Sequence, residues 1–124
     1  MSSPDLKSIA LRFNDCINDR NLDGLADLMT DDHKFIDSAE NAINGKGICL
    51  DAWRGFFSGF PDYKNVFESV TSDSDVVLMA GYSTCSEPAL DGRAIWTARI
   101  VGDQVSEWRV YDDTPEIRQH LGVD

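Results

Sequence analysis

The sequence predicts an α+β domain, a curved and mostly antiparallel sheet wrapped over three helices, on three observations. Apolar residues recur at spacings of three and four through the opening segments, the period of an amphipathic helix. The second half changes to β-branched and aromatic runs separated by short Asp- and Gly-rich turns, which reads as consecutive strands. A chain of 124 residues has room for one core, so a single domain spanning 1–124 is expected.

Leu6, Ile9, Phe13 and Ile17 make the stripe of the first helix, with Ser3-Pro4 where a helix start belongs. Asn21 interrupts, and Leu22, Leu25, Leu28 and Met29 line one side of a second helix that Thr30-Asp31-Asp32 closes. His33 to Asp37 reads as a short strand whose alternation puts His33, Phe35 and Asp37 on one face. Asn44-Gly45-Lys46-Gly47 is a turn signal, and Ile48 to Phe60 is a third helix ended by Pro61-Asp62. Four strands follow: Tyr63–Thr71, Val76–Ser86, Arg93–Val101 and Gln104–Asp112. Short turns between them argue for an antiparallel meander rather than parallel crossovers. Such a sheet packed on helices leaves a conical interior whose open end suits a pocket.

Charge narrows the function. With 22 acidic against 11 basic residues the net charge is −11, a surface that repels phosphate backbones and anionic lipid heads. Nucleic acid and membrane are therefore not expected as partners, no apolar run reaches the ~18 residues of a span, and a cytoplasmic location is expected. Cys16, Cys49 and Cys85 are scattered and His33 and His120 are far apart, so neither a disulfide framework nor a metal site is expected. No motif implies a nucleotide, flavin or other cofactor.

The segment Glu107-Trp108-Arg109-Val110-Tyr111-Asp112-Asp113, with Ile117-Arg118-Gln119-His120-Leu121-Gly122, resembles the closing strand and tail of SnoaL-like proteins. Asn21 to Leu25, Asp31 to Asp37, and Asp91-Gly92-Arg93 ahead of Trp96 resemble the matching front and middle. The resemblance covers nearly the whole chain and implies the nuclear transport factor 2-like, cystatin-like cone with an internal pocket. That superfamily includes ketosteroid isomerases, limonene-epoxide hydrolases and polyketide cyclases beside members without known activity, so the chemistry has to be checked residue by residue. Against the isomerases, Asp37 stands in the place of the general base, but Phe13 and Trp96 stand where the oxyanion-hole donors belong, and only the Trp96 indole can donate. Against the epoxide hydrolases, Tyr82, Thr84 and Val110 occupy the water-activating positions, and none can do that work. Against the polyketide cyclases, Asp113 matches the acid/base aspartate, or Asp112 does after a bulge.

The candidate catalytic residues are accordingly Asp37, Asp112, Asp113 and His33. Beside Phe35 in an apolar space, the Asp37 carboxyl is expected to rise in pKa and become a usable base; the alternative is an aspartate bonded to its own turn. Asp113-Thr114-Pro115-Glu116 also reads as a helix cap, and His33 is either a proton relay or a satisfied surface residue. Phe13, Phe35, Trp53, Phe57, Phe60, Tyr82, Trp96 and Trp108 are the candidate ligand-binding residues, with core packing as the alternative. The reading is a pocket for a small apolar ligand, with acid/base catalysis on a cyclic carbonyl compound, simple binding, or a dimeric interaction module as the open alternatives. A homodimer through the sheet is expected in each, with Ile95, Thr97, Val101 and Tyr111 outward.

Overall fold

The computed structural model describes residues 5–123, so Ser3-Pro4 lies outside the described residues. Helix α1 (Leu6–Asn18) starts at Asp5, whose carboxylate accepts the Lys7 N–H at 3.2 Å, and it buries Ile9, Ala10, Phe13 and Ile17 along one face. Helix α2 (Leu22–Leu28) is capped by Asn21, which accepts the Gly24 N–H at 2.9 Å. Thr30-Asp31-Asp32 do not end that helix: they belong to strand β1 (Met29–Ile36). Met29 pairs with Val105, and Gln104 Nε2 donates to the Met29 carbonyl at 3.1 Å, so tertiary pairing overrides the local stop signal.

A short strand β2 (Ala42–Asn44) then pairs back onto β1. Gly45, at φ 103°, makes the turn into helix α3 (Lys46–Gly59). Lys46 and Gly47 therefore open the helix instead of completing a turn. The meander is β3 (Lys64–Asp73), β4 (Val76–Thr84), β5 (Gly92–Val101) and β6 (Gln104–Asp112), each antiparallel to the next. A fourth helix, α4 (Pro115–Leu121), follows; its N-cap is Thr114, which accepts the Ile117 N–H at 3.2 Å, and not Asp113.

The sheet runs β2-β1-β6-β5-β4-β3 and is mixed, because β1 lies parallel to β6. Its inner face presents Val77, Met79, Trp96, Ala98, Val105 and Trp108 to Ile9, Phe13 and Ile17 of α1 and to Leu25 of α2. Two irregularities shape it. The β1–β6 register slips between Met29 and Lys34, and His33 fills the slip by bonding the Val105 carbonyl through Nδ1 at 2.7 Å. The β3–β4 register slips between Phe67 and Ser69, a bulge that bends the edge strand over the interior. Opposite it stands Gly81, where an added Cβ would meet the Val66 carbonyl oxygen at 2.0 Å.

The outer face is already partly covered within one chain. Ile95 is 0% and Thr97 7% exposed, which removes both from the surface expected to meet a second copy. Arg118, Gly122 and Val123 of the tail share an outer groove with Leu78, Ala80 and Arg93.

Candidate functional site

Between α3 and the inner face of the sheet lies a cavity of about 350 Å³, lined mainly by apolar side chains. This is toward the small end of the ~300–1,000 Å³ typical of small-molecule sites. Phe35 and Ile43 form one side, Cys49, Trp53 and Phe56 of α3 another, and Trp96, Trp108 and Val110 the floor. The aromatic wall is mutually braced: Trp53 meets Phe35 edge-on at 5.6 Å and Phe56 edge-on at 5.7 Å between centroids. Burial raises the pKa of the Cys49 thiol.

Of the expected ligand-binding residues, Phe35, Trp53, Trp96 and Trp108 stand on the cavity wall. The other four do not. Phe13 is wholly buried behind the wall, stacked on Trp108 at 4.7 Å and on His33 at 5.5 Å. Phe57 packs on Trp53 at 5.5 Å in the core. Phe60 sits just past the end of α3 against Phe56. Tyr82 alternates with inward Gly81 and Ser83 and so lies on the outer face of β4.

Asp37 is at the cavity mouth, one residue beyond β1. Its carboxylate accepts from Ala39 N–H at 2.9 Å, from Asn41 N–H at 2.9 Å and from Asn41 Nδ2 at 3.2 Å. Those donors, the Asn41 backbone first, hold its pKa below the usual carboxylate value, where the sequence led us to expect a raised one. The reason is local: the strand ends one residue early, and the aspartate folds its own turn.

His33 is not a surface residue: it lies on the inward side of β1 with Phe35, stacked on Phe13 in the core. It is 0% exposed, and since its Nδ1–H donates to Val105, Nε2 is left as a buried acceptor without a partner. Burial lowers its pKa, with the Val105 bond and Asp32 opposing.

Asp112 and Asp113 part company. By register Asp112 stands opposite Ala94, on the same side of β6 as Val110 and Trp108. It is exposed, in a polar groove outside the mouth that shares Asp37, Ser38 and Val110 with the cavity and also holds Arg109 and His120. Asp113 turns the other way, to Arg118 Nε at 2.5 Å and Arg93 Nε at 3.4 Å; Arg118 foremost keeps its pKa low. It contributes nothing to the cavity wall.

The sequence reading missed the polar side of the cavity. Tyr63 and Asn65 line it, and behind them Ser83 and Asn14 complete a chain. Asn65 Nδ2 donates to Asn14 Oδ1 at 3.1 Å, Ser83 Oγ to Asn65 Oδ1 at 2.7 Å, and Tyr63 Oη lies 3.1 Å from Ser83 Oγ. Asn18 fixes the start of β3 by exchanging bonds with the Asn65 backbone, 2.9 Å and 3.0 Å. Burial raises the Tyr63 pKa, with the Ser83 and Asn65 side chains opposing. A signal was available: Asn65 shares strand parity with Phe67, Ser83 with Met79 and Gly81, and Asn14 follows Ala10 by one helical turn. Polar residues at inward positions of a predicted sheet mark such a site.

One further polar atom belongs to the wall residues: the indole Nε1 of Trp96 is buried with no acceptor. Among the described residues no three His, Cys, Asp or Glu side chains cluster as metal ligands, and no helix is long and apolar enough to cross a membrane.

The SnoaL-like domain family matches residues 10–120. Among solved structures, a candidate SnoaL-like polyketide cyclase from Shewanella putrefaciens is 16% identical with a TM-score of 0.77, covering 98% of this chain and 88% of its own. A candidate ketosteroid isomerase from Kribbella flavida is 18% identical, TM-score 0.69, over 94% and 86%. A cystatin-fold protein from Novosphingobium aromaticivorans is 16% identical, TM-score 0.75, over 86% and 97%. Similarity at this level establishes a common fold and leaves the chemistry to the residues. No curated protein matches the chain.

Proposed function

The chain belongs to the SnoaL-like domain family, and from that premise we propose that it binds one small, mostly apolar ring compound in the cavity between α3 and the sheet. The observation that carries this reading is the cavity itself: aromatic walls from three parts of the fold, with Tyr63 and Asn65 as polar groups to orient a ligand. Filling it is favourable, since each CH₂ removed from water contributes about 0.8 kcal/mol. The test is equilibrium binding of two- and three-ring compounds to the wild type and to Ala52→Phe, which puts a ring into the space from α3. Micromolar binding that Ala52→Phe abolishes supports the reading. Wild-type protein that binds none of them at millimolar concentration refutes it.

Acid/base catalysis on a cyclic carbonyl compound, with Asp37 as base, is the second reading. It draws on the place of Asp37 at the mouth and on Asp112 in the adjoining groove. The three hydrogen bonds to Asp37 weaken it, because a carboxylate stabilised as an anion is a poor proton acceptor at neutral pH. If the reading holds, Asp37→Asn removes turnover of a bound ketone while leaving its affinity within about threefold.

We also propose pairing of two copies through the outer face of the sheet, now resting on Val101, 56% exposed, and Tyr111. Sedimentation of wild type and Val101→Glu tests this; a monomer in both rejects it.

A further inference from the structure

The polar chain behind Tyr63 fixes what the cavity can recognise. A serine hydroxyl has one proton, and Ser83 spends it on Asn65 Oδ1 at 2.7 Å. The contact between Tyr63 Oη and Ser83 Oγ, 3.1 Å, must then be donated by the tyrosine. Tyr63 is therefore left with lone pairs and no proton to offer the cavity that it lines. Asn65 in turn is held in place, Nδ2 on Asn14 and backbone on Asn18, by helix α1. With Asn14, Asn65 and Ser83 each at most 6% exposed, the order of protons along the chain is shielded from water.

We propose that the cavity selects ring compounds carrying an N–H or O–H donor, received by Tyr63 Oη, and that Ser83 and Asn65 set this preference by orienting the tyrosine proton away from the ligand. This rests on the small-ligand reading above and narrows it from apolar rings to donor-bearing ones. Tyr63 touches the ligand; Ser83, Asn65 and Asn14 are positioning residues.

Indole and benzofuran test it, being nearly identical in shape, the first with a ring N–H donor and the second with a ring oxygen acceptor. A pocket with no acceptor in reach favours benzofuran, because a buried donor without a partner is penalised. Titration calorimetry on the wild type is expected to show indole binding about tenfold tighter, the size of one well-placed hydrogen bond. Tyr63→Phe should erase or reverse the order by weakening indole alone. Ser83→Ala keeps the tyrosine and frees its proton, so benzofuran should bind that variant more tightly than it binds wild type. A purely structural role for Ser83 yields no such gain. Equal wild-type affinities, or a preference for benzofuran, overturn the proton order while leaving the binding pocket standing. Failure of both compounds, and of every other ring compound, to bind overturns the pocket reading and this one with it. The wild-type comparison decides the matter even if a variant does not fold.

Discussion

Alanine at Gly81 and alanine at Gly55 should move stability in opposite directions, and the structure fixes both signs. A Cβ at Gly81 meets the Val66 carbonyl oxygen at 2.0 Å and the Phe67 Cα at 2.9 Å, where ordinary contact begins at 3.4 Å. These are backbone atoms of the β3 bulge, so no side chain can rotate away, and the edge strand has to move by more than an ångström. Overpacking of this kind costs typically 1–3 kcal/mol, and the rigid obstacle puts Gly81→Ala at about 3 kcal/mol. With an unfolding entropy of about 2.1 cal/mol/K per residue, a chain of 124 residues shifts by about 4 °C per kcal/mol, so the midpoint should fall by about 12 °C. At Gly55, inside α3 and exposed, a Cβ meets nothing within 4 Å. There alanine gains helix propensity, about 0.8 kcal/mol, and the midpoint should rise by about 3 °C. Calorimetric scans of the two variants and wild type settle it. A Gly81→Ala midpoint within 2 °C of wild type would show that β3 does not approach β4 as described, and the placement of Asn65 on the same strand would fall with it.

Three further outcomes are expected. Because burial depresses the His33 pKa below its ordinary 6.5, the unfolded chain binds a proton there more readily than the folded one. Stability should be fully present above pH 6.5 and decline as pH falls toward the folded value, a slope that His33→Asn, which keeps a donor for Val105, removes; urea titrations at pH 7.5 and 5.5 read it. For Asp113 the sign is the acidic one: its ion pairs with Arg118 and Arg93 stabilise above pH 3.8 and are lost below it. Asp113→Asn should lower the midpoint by about 4 °C at pH 7 in low salt, about 1 kcal/mol, and much less in 1 M salt, while a salt-independent loss would contradict the ion-pair account. Thr114→Ala removes the cap of α4 and should cost about 1 kcal/mol, visible as faster amide exchange confined to residues 115–121.

The fold was readable because its periods are unmixed. Ile9, Phe13 and Ile17 repeat at helical spacing, and the β-branched and aromatic runs of the second half are separated by short Asp- and Gly-rich turns, so the order and type of these elements are visible in one dimension. What escaped depends on partners distant in sequence. β1 begins at Met29 because Val105, far along the chain, pairs with it, and no local rule weighs that against the stop signal of Thr30-Asp31-Asp32. Strand β2 has only Ala42, Ile43 and Asn44, too few for any period to show. α4 was visible as a cap-and-proline pattern yet misassigned by one residue, because Asp113 and Thr114 can both cap and only the arginines claim the aspartate.

The site was less readable, for a reason that goes beyond distance. A carboxylate next to an aromatic residue on a strand looks like a base with a raised pKa, provided nothing nearer satisfies it. At Asp37 the donors of Ala39 and Asn41 lie only two and four residues along the chain, and the turn they make takes up the carboxylate. Those local hydrogen bonds stabilise the anion, so a strand-end aspartate followed by Ser-Ala-Glu-Asn should be read as a turn before it is read as a catalyst. The reverse error hid Tyr63, Asn65 and Ser83, which are neutral and draw no attention in a search for acids and bases. Asn65 and Ser83 on inward strand positions, with Tyr63 just ahead of β3, nevertheless have to be paired, and a chain with one proton per hydroxyl limits what it can offer a ligand. For a cavity of this kind, the sequence position to inspect is the polar residue on the inward parity of a strand, since its desolvation must be compensated and the compensation defines what can bind.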